Sequence, residues 1–96
     1  MAALLIVDVT EIRDPEKYEV YKTMTPGAIA AFGGRFVVRG NPCEQLEGDY
    51  LPSRHVIVEF ESMEKLKEFY HSDTYAPALA IRKAIATSNA YAVETL

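Results

Sequence analysis

The order in which strand-forming and helix-forming stretches alternate is the feature that most narrows what this chain can fold into. Leu4 to Val9 is a short apolar, β-branched run suited to a strand buried on both faces. Asp14-Pro15 then reads as a helix start. The Asp carboxylate can accept from free backbone N–H groups, and Pro lacks the N–H that a first turn leaves unpaired. Tyr18, Tyr21, Ala28 and Phe32 fall roughly on one helical face, but Pro26-Gly27 interrupts the register. A mid-helix Pro loses a hydrogen bond and clashes with the preceding turn, so two helical pieces are expected to meet at Thr25-Pro26. Gly33-Gly34 ends the second piece, because glycine accepts the left-handed C-cap conformation.

Arg35 to Arg39 and Arg54 to Phe60 read as the second and third strands. Between them, Gly40 to Ser53 is too long for a tight hairpin and carries turn signals at Gly40-Asn41-Pro42, Gly48-Asp49 and Leu51-Pro52. Ser62 caps a helix with Met63, Leu66, Phe69 and Tyr70 on one face. Ser72-Asp73 starts a further helix running to about Thr87, with Pro77 in its early turns, and Ala90 to Glu94 is the last strand. Strand, helix, strand, strand, helix, strand is the split βαβ order of a ferredoxin-like α+β sandwich. Right-handed crossovers then give a four-stranded antiparallel sheet in the order 4-1-3-2, with the helices all on one face.

The other face is left bare, and strand parity says what it carries. In the third strand Val56, Val58 and Phe60 are expected to meet the helices, with His55, Ile57 and Glu59 on the bare side. The same parity sends Phe36 and Val38 inward and Arg35, Val37 and Arg39 outward. In the first strand Leu5, Val7 and Val9 go inward, leaving Leu4, Ile6 and Asp8 on the bare face. That face is then apolar in the middle and charged at both ends. An apolar patch of this kind is unusual on a monomer, and a second copy laid over it closes a dimeric α/β barrel. A solvated face is the alternative.

The topology also gathers charges. Asp8, Arg39 and His55 are expected at one end, where they could bind and protonate a small anion or carbonyl compound, with His55 and Asp8 as catalytic candidates and Arg39 as a ligand-binding one. The competing reading is an ion-pair network that fixes the register of the dimer. Arg35 and Glu59 gather at the opposite end, together with Glu94, and read as a structural ion pair. Tyr21 and Tyr75 lie at helix breaks where a pocket can open, and are ligand-binding candidates against the plainer reading of core filling with each hydroxyl at the rim. Arg82 can reach an anion or, more simply, a neighbouring carboxylate. His71 ends a helix, where a cation is favourable without any chemistry.

Composition excludes several classes. At 96 residues the chain is sized for a single domain, residues 1–96, with a thin core. Its formal charge of −4, with no basic run, argues against nucleic acid as a partner. The longest apolar run, Ala2 to Val7, is too short to span a bilayer and lacks the features of a secretory signal, so no membrane partner is expected. The single Cys43 can form no internal disulfide, and the protein reads as cytoplasmic. His55 and His71 have no metal-ligand spacing, no serine sits in a nucleophile elbow, and Gly33-Gly34 lacks the rest of a phosphate cradle. No metal and no cofactor is therefore expected.

Tyr18-x-x-Tyr21, Pro26, Phe32-Gly33-Gly34-Arg35-Phe36 and Arg39-Gly40 together resemble the domain-of-unknown-function 1330 family. Leu46-Glu47-Gly48, Arg54, Glu59-Phe60, Phe69-Tyr70-x-Ser72, Tyr75 and Arg82 continue the likeness over nearly the whole chain. The resemblance implies a ferredoxin-like protomer in a homodimeric α/β barrel, within a superfamily that includes cofactor-free monooxygenases, isomerases, decarboxylases and haem-handling enzymes. It implies no particular activity. One departure is Asn41-Pro42, where the family often has a second glycine, and this stiffens the loop beside Arg39. Two functions follow as expectations. One is a homodimer that binds, and transforms, a small organic molecule between sheet and helices; the other is a structural or regulatory dimer in which the charges only set register.

Overall fold

The computed structural model describes residues 1–51 and 53–96; Pro52, and with it the Leu51-Pro52 turn signal, lies outside the described residues. The elements run β1 (Ala3–Ile12), α1 (Pro15–Ala31), β2 (Arg35–Arg39), β3 (Arg54–Phe60), α2 (Met63–Tyr70), α3 (Ala76–Ile85) and β4 (Ala86–Glu94). The strands form one antiparallel sheet in the order β2-β3-β1-β4, which is 4-1-3-2 read from the other edge. This is the ferredoxin-like α+β arrangement.

Helix α1 begins as its sequence says, with the Asp14 side chain accepting from the Lys17 N–H at 3.1 Å. It does not break at Thr25-Pro26. The two expected pieces are one helix of 17 residues with Pro26 inside it. Pro26 has no N–H, so the carbonyl of Lys22, four residues back, loses its usual donor. That oxygen instead accepts from Arg39 Nη2 at 2.7 Å and from the Thr25 hydroxyl at 3.3 Å. A side chain from β2 thus makes good the bond that Pro removes. The helix ends as expected. Gly33 lies at φ 74°, with Gly33 N–H on the Ala30 carbonyl and Gly34 N–H on the Ile29 carbonyl, both at 3.0 Å. These two bonds are a Schellman cap. A Cβ on Gly34 would meet Phe60 at 2.6 Å and Ile29 at 2.8 Å, so the cap favours a glycine at 33 and close packing favours one at 34.

The C-terminal third differs from expectation in its boundaries. Ser72 does not begin α3. Its hydroxyl accepts from Tyr75 N–H and its carbonyl from Ala76 N–H, each at 3.1 Å, which makes a turn ahead of a helix that starts at Ala76. At the other end Ala86 is already extended (φ −143°, ψ 153°), so β4 begins there rather than at Ala90. The cause is β1, which continues past Val9 to Ile12 through a bulge and pairs Ile12 with Ala86 and Glu11 with Thr87. Strand pairing takes residues that local sequence leaves in the helix.

Leu5, Val7, Val9, Val58 and Phe60 form the sheet side of the core, against Tyr18, Ala28 and Ile29 of α1, Leu66 and Phe69 of α2, and Tyr75, Ala78 and Ile85 of the α3 region. Phe69 is its hub: its ring centroid lies 4.4 Å from Tyr75, 5.1 Å from Phe60 and 6.1 Å from Phe32. The opposite sheet face carries no helix. It bears Leu4 opposite Val93, Ile6 opposite both Ile57 and Tyr91, and Val38 opposite Ile57. Tyr91 is 57% exposed and Val93 43% exposed, so the patch is open to solvent in the protomer. No helix among the described residues is long and apolar enough to cross a membrane.

Candidate functional site

The predicted cluster of Asp8, Arg39 and His55 does not form. Strand β2 pairs Phe36 with Val58, then Val38 with Ile57 and Arg39 with Val56, so Val37 is an extra residue in a β-bulge. One inserted residue flips every later side chain to the other face. Val38 therefore joins the helix-free face, and Arg39 joins Val56 and Phe36 on the helix-covered one. Asp8 and His55 stay on the helix-free face as direct cross-strand partners. Glu94 also parts from Arg35 and Glu59, because it pairs with the core residue Ala3.

On the helix-covered face Arg39 meets a second arginine that its parity with Val56 and Val58 already marks, Arg54 at the start of β3. The Arg39 guanidinium stacks on the Phe36 ring, 4.5 Å from its centroid, and that of Arg54 lies 5.4 Å from the Tyr18 centroid. Gly40, at φ 70°, leaves the space that the Arg54 guanidinium fills, and a Cβ there would collide with it. Glu19, Lys22, Thr23, Arg39 and Arg54 line an open cleft of about 450 Å³ between α1 and the β2–β3 edge. Lys22 pairs with Glu19 at 2.5 Å, whereas neither Arg39 nor Arg54 belongs to an ion pair among the described residues. Arg54 Nε is buried without an acceptor among the described residues. Behind the cleft, Lys22, Arg39 and Arg54 also border an apolar hollow of only about 30 Å³, walled by Tyr18, Tyr21 and Val56 among others.

Tyr21 and Tyr75 meet, although α1 has no break beside Tyr21. Their hydroxyls are 2.9 Å apart, with Tyr21 on the wall of the hollow and Tyr75 buried behind it. Burial, reinforced by the neighbouring Tyr75, pushes the Tyr21 phenol well above its ordinary value. Tyr21 is therefore a neutral hydrogen-bonding group at physiological pH rather than a base. Arg82 lies beyond this pair, its guanidinium 6.0 Å from the Tyr21 centroid. The neighbouring carboxylate expected for it is absent: Arg82 is 3% exposed, bonds the Ser88 hydroxyl through Nη1, and takes part in no ion pair among the described residues.

The helix-free face uses its charges differently. Arg35 and Glu59 are cross-strand partners joined at 2.5 Å. At the other end Asp8 is flanked by His55 on one side and Asn89 on the other. Asp8 Oδ1 and His55 Nδ1 are both buried, yet neither has a hydrogen-bond partner, so Asp8 does not orient the imidazole within the protomer.

Comparisons with known proteins agree with this architecture. A protein of unknown function from Rhodopseudomonas palustris superimposes with a TM-score of 0.76 at 19% identity, over 99% of this chain and 83% of that one. A dimeric ferredoxin-like protein of unknown function from Jannaschia matches with a TM-score of 0.74 at 10% identity, over 99% and 100%. SnoaB, a cofactor-independent oxygenase from Streptomyces nogalater, matches in a mutant form with a TM-score of 0.67 at 14% identity, over 98% and 92%. At these identities the likeness is one of fold. Among functionally curated proteins nothing matches. The model of the domain-of-unknown-function 1330 family matches residues 2–96, and the chain belongs to that family.

Proposed function

We propose that the protein is a homodimer whose protomers each hold a small organic anion, carboxylate- or carbonyl-bearing, in the cleft between α1 and the β2–β3 edge. One observation carries the reading. In a chain of net charge −4, Lys22, Arg39 and Arg54 converge on one cleft where Glu19 is the one carboxylate among the lining residues. Its volume lies within the range of small-molecule sites. Arg39 and Arg54 hold the anionic group, since a guanidinium presents a planar fork of donors that matches a carboxylate. Tyr21, held by Tyr75, does not line this cleft and closes the small hollow behind it.

The dimer uses the other face. Covering Leu4, Ile6, Val38, Ile57, Tyr91 and Val93 with a second copy removes apolar area from water at ~25 cal/mol per Å². Asp8 and His55 belong to that seam. Proton transfer from His55 to an anion held by Arg39 would have to cross the sheet, so this reading gives neither residue a part in chemistry at the cleft. Solved ferredoxin-like relatives described as dimeric support the pairing.

A structural or regulatory dimer without a ligand is favoured by one specific observation: Arg39 already braces the Pro26 turn, and the hollow behind it has room for one water. A thermal-shift screen of small carboxylates and keto acids separates the two. A compound at ~100 times its Kd adds about 2.7 kcal/mol of stability, and Arg54→Ala should abolish that gain. If no compound in the library stabilises the wild type, the structural reading replaces this one.

A further inference from the structure

We infer that a second anion site exists at the opposite edge of the sheet, centred on Arg82, and that it takes a small oxyanion, a carboxylate or a phosphate. Arg82, Arg13, Lys83, Tyr70, Thr87 and Ser88 line an open cleft of about 440 Å³ where α3 passes into β4. Three cations and three hydroxyls face one space. Arg13 is already matched, by Glu11 at 2.8 Å and by the Thr87 hydroxyl at 2.8 Å. Neither Arg82 nor Lys83 belongs to an ion pair among the described residues.

Arg82 carries the inference. A guanidinium stays protonated in a protein, and removing one from water without an opposing charge is costly. Its neighbours are neutral. The Ser88 hydroxyl accepts from Nη1, the Tyr21 ring lies alongside, and Nε is buried with no acceptor among the described residues. An oxyanion in the cleft supplies the charge that the chain itself withholds. Lys83 and the hydroxyls of Tyr70, Thr87 and Ser88 offer the further donors that such an ion takes. The backbone favours this placement too, because Ala86 turns directly from α3 into β4 and brings Arg82, Thr87 and Ser88 together across the bend.

This site is distinct from the Arg39 cleft. The two lie at opposite edges of the sheet, with the Tyr21–Tyr75 hydroxyl pair between them in the core. The test is an NMR titration of the full-length protein that follows the Arg82 Nε–H resonance at constant ionic strength. Inorganic phosphate is added in one arm, malonate in a second and chloride in a third. A saturable shift with phosphate, malonate or both, and none with chloride, supports the site, and the stronger arm identifies the oxyanion. Lys83→Ala, an exposed position, should raise the apparent Kd severalfold. Arg39→Ala should leave it within about twofold, roughly 0.4 kcal/mol. An Arg82 resonance that none of the three moves, or that chloride moves equally, overturns the inference. So does a Kd that depends on Arg39 and not on Lys83.

Discussion

The two faces of one sheet treat charge in opposite ways. On the helix-free face charges stand opposite partners: Arg35 pairs with Glu59, and Asp8 lies between His55 and Asn89. On the helix-covered face the three arginines, 39, 54 and 82, have aromatic rings, hydroxyls and one carbonyl around them but no carboxylate in ion-pair contact among the described residues. An ion pair at one end, and at the other Asp8 and His55 with buried atoms that find no partner within the described residues, suit a surface that a second copy completes. Unmatched cations suit a surface that waits for an anion. The proposed function accordingly puts binding on one side of the sheet and assembly on the other.

The strongest way to break that division is to put a charge at the centre of the helix-free face. Ile57→Glu buries two symmetry-related carboxylates in the dimer, each costing ~3–5 kcal/mol if left unpaired. The expected result in sedimentation equilibrium is a monomer with unchanged far-UV circular dichroism; a persisting dimer would show that another surface makes the interface. The matching change on the covered face is Phe69→Ala, which removes the aromatic hub and should cost ~3–5 kcal/mol in urea unfolding, as loss of the fold rather than selective loss of pairing.

A finer comparison uses the two arginines of β2. Arg39→Ala leaves the Lys22 carbonyl with only the Thr25 hydroxyl and should cost ~1–2 kcal/mol. Arg35→Ala breaks an ion pair whose arginine is largely exposed and should cost under ~0.5 kcal/mol. Equal losses would mean that Arg39 does not brace α1. A further effect concerns pH. Because the folded-state pKa of Tyr21 is raised, its contribution is intact below the ordinary tyrosine value near 10 and is lost above it, where the unfolded chain releases the proton and the folded one keeps it. Wild-type stability should fall by ~1 kcal/mol more than that of Tyr21→Phe between pH 9 and pH 11; parallel curves would contradict the burial of that hydroxyl.

These arginines also mark where the sequence stops being readable. The sheet order followed from the alternation of elements, and the parity of β1 and β3 followed from Leu5-Val7-Val9 and Val56-Val58-Phe60. Arg54 is legible by the same count, since it stands two residues before Val56 and shares its face. Arg39 was not legible. In Arg-Phe-Val-Val-Arg the adjacent valines suit either face of a sheet, and nothing marks Val37 as the residue the partner strand skips. The continuity of α1 was hidden for a related reason: its Pro26 is compensated by a side chain 13 residues further on. Tertiary partners decided both.

A single titration addresses the division between the faces most directly. Wild-type protein labelled for arginine and histidine side-chain NMR is titrated with the best-stabilising carboxylate from the thermal screen. The account predicts that Arg39 and Arg54 resonances shift together and saturate, while the His55 imidazole and the Asp8 carboxylate stay where they were. Saturable shifts at His55 and Asp8 with Arg39 and Arg54 silent would place the ligand on the helix-free face and contradict it.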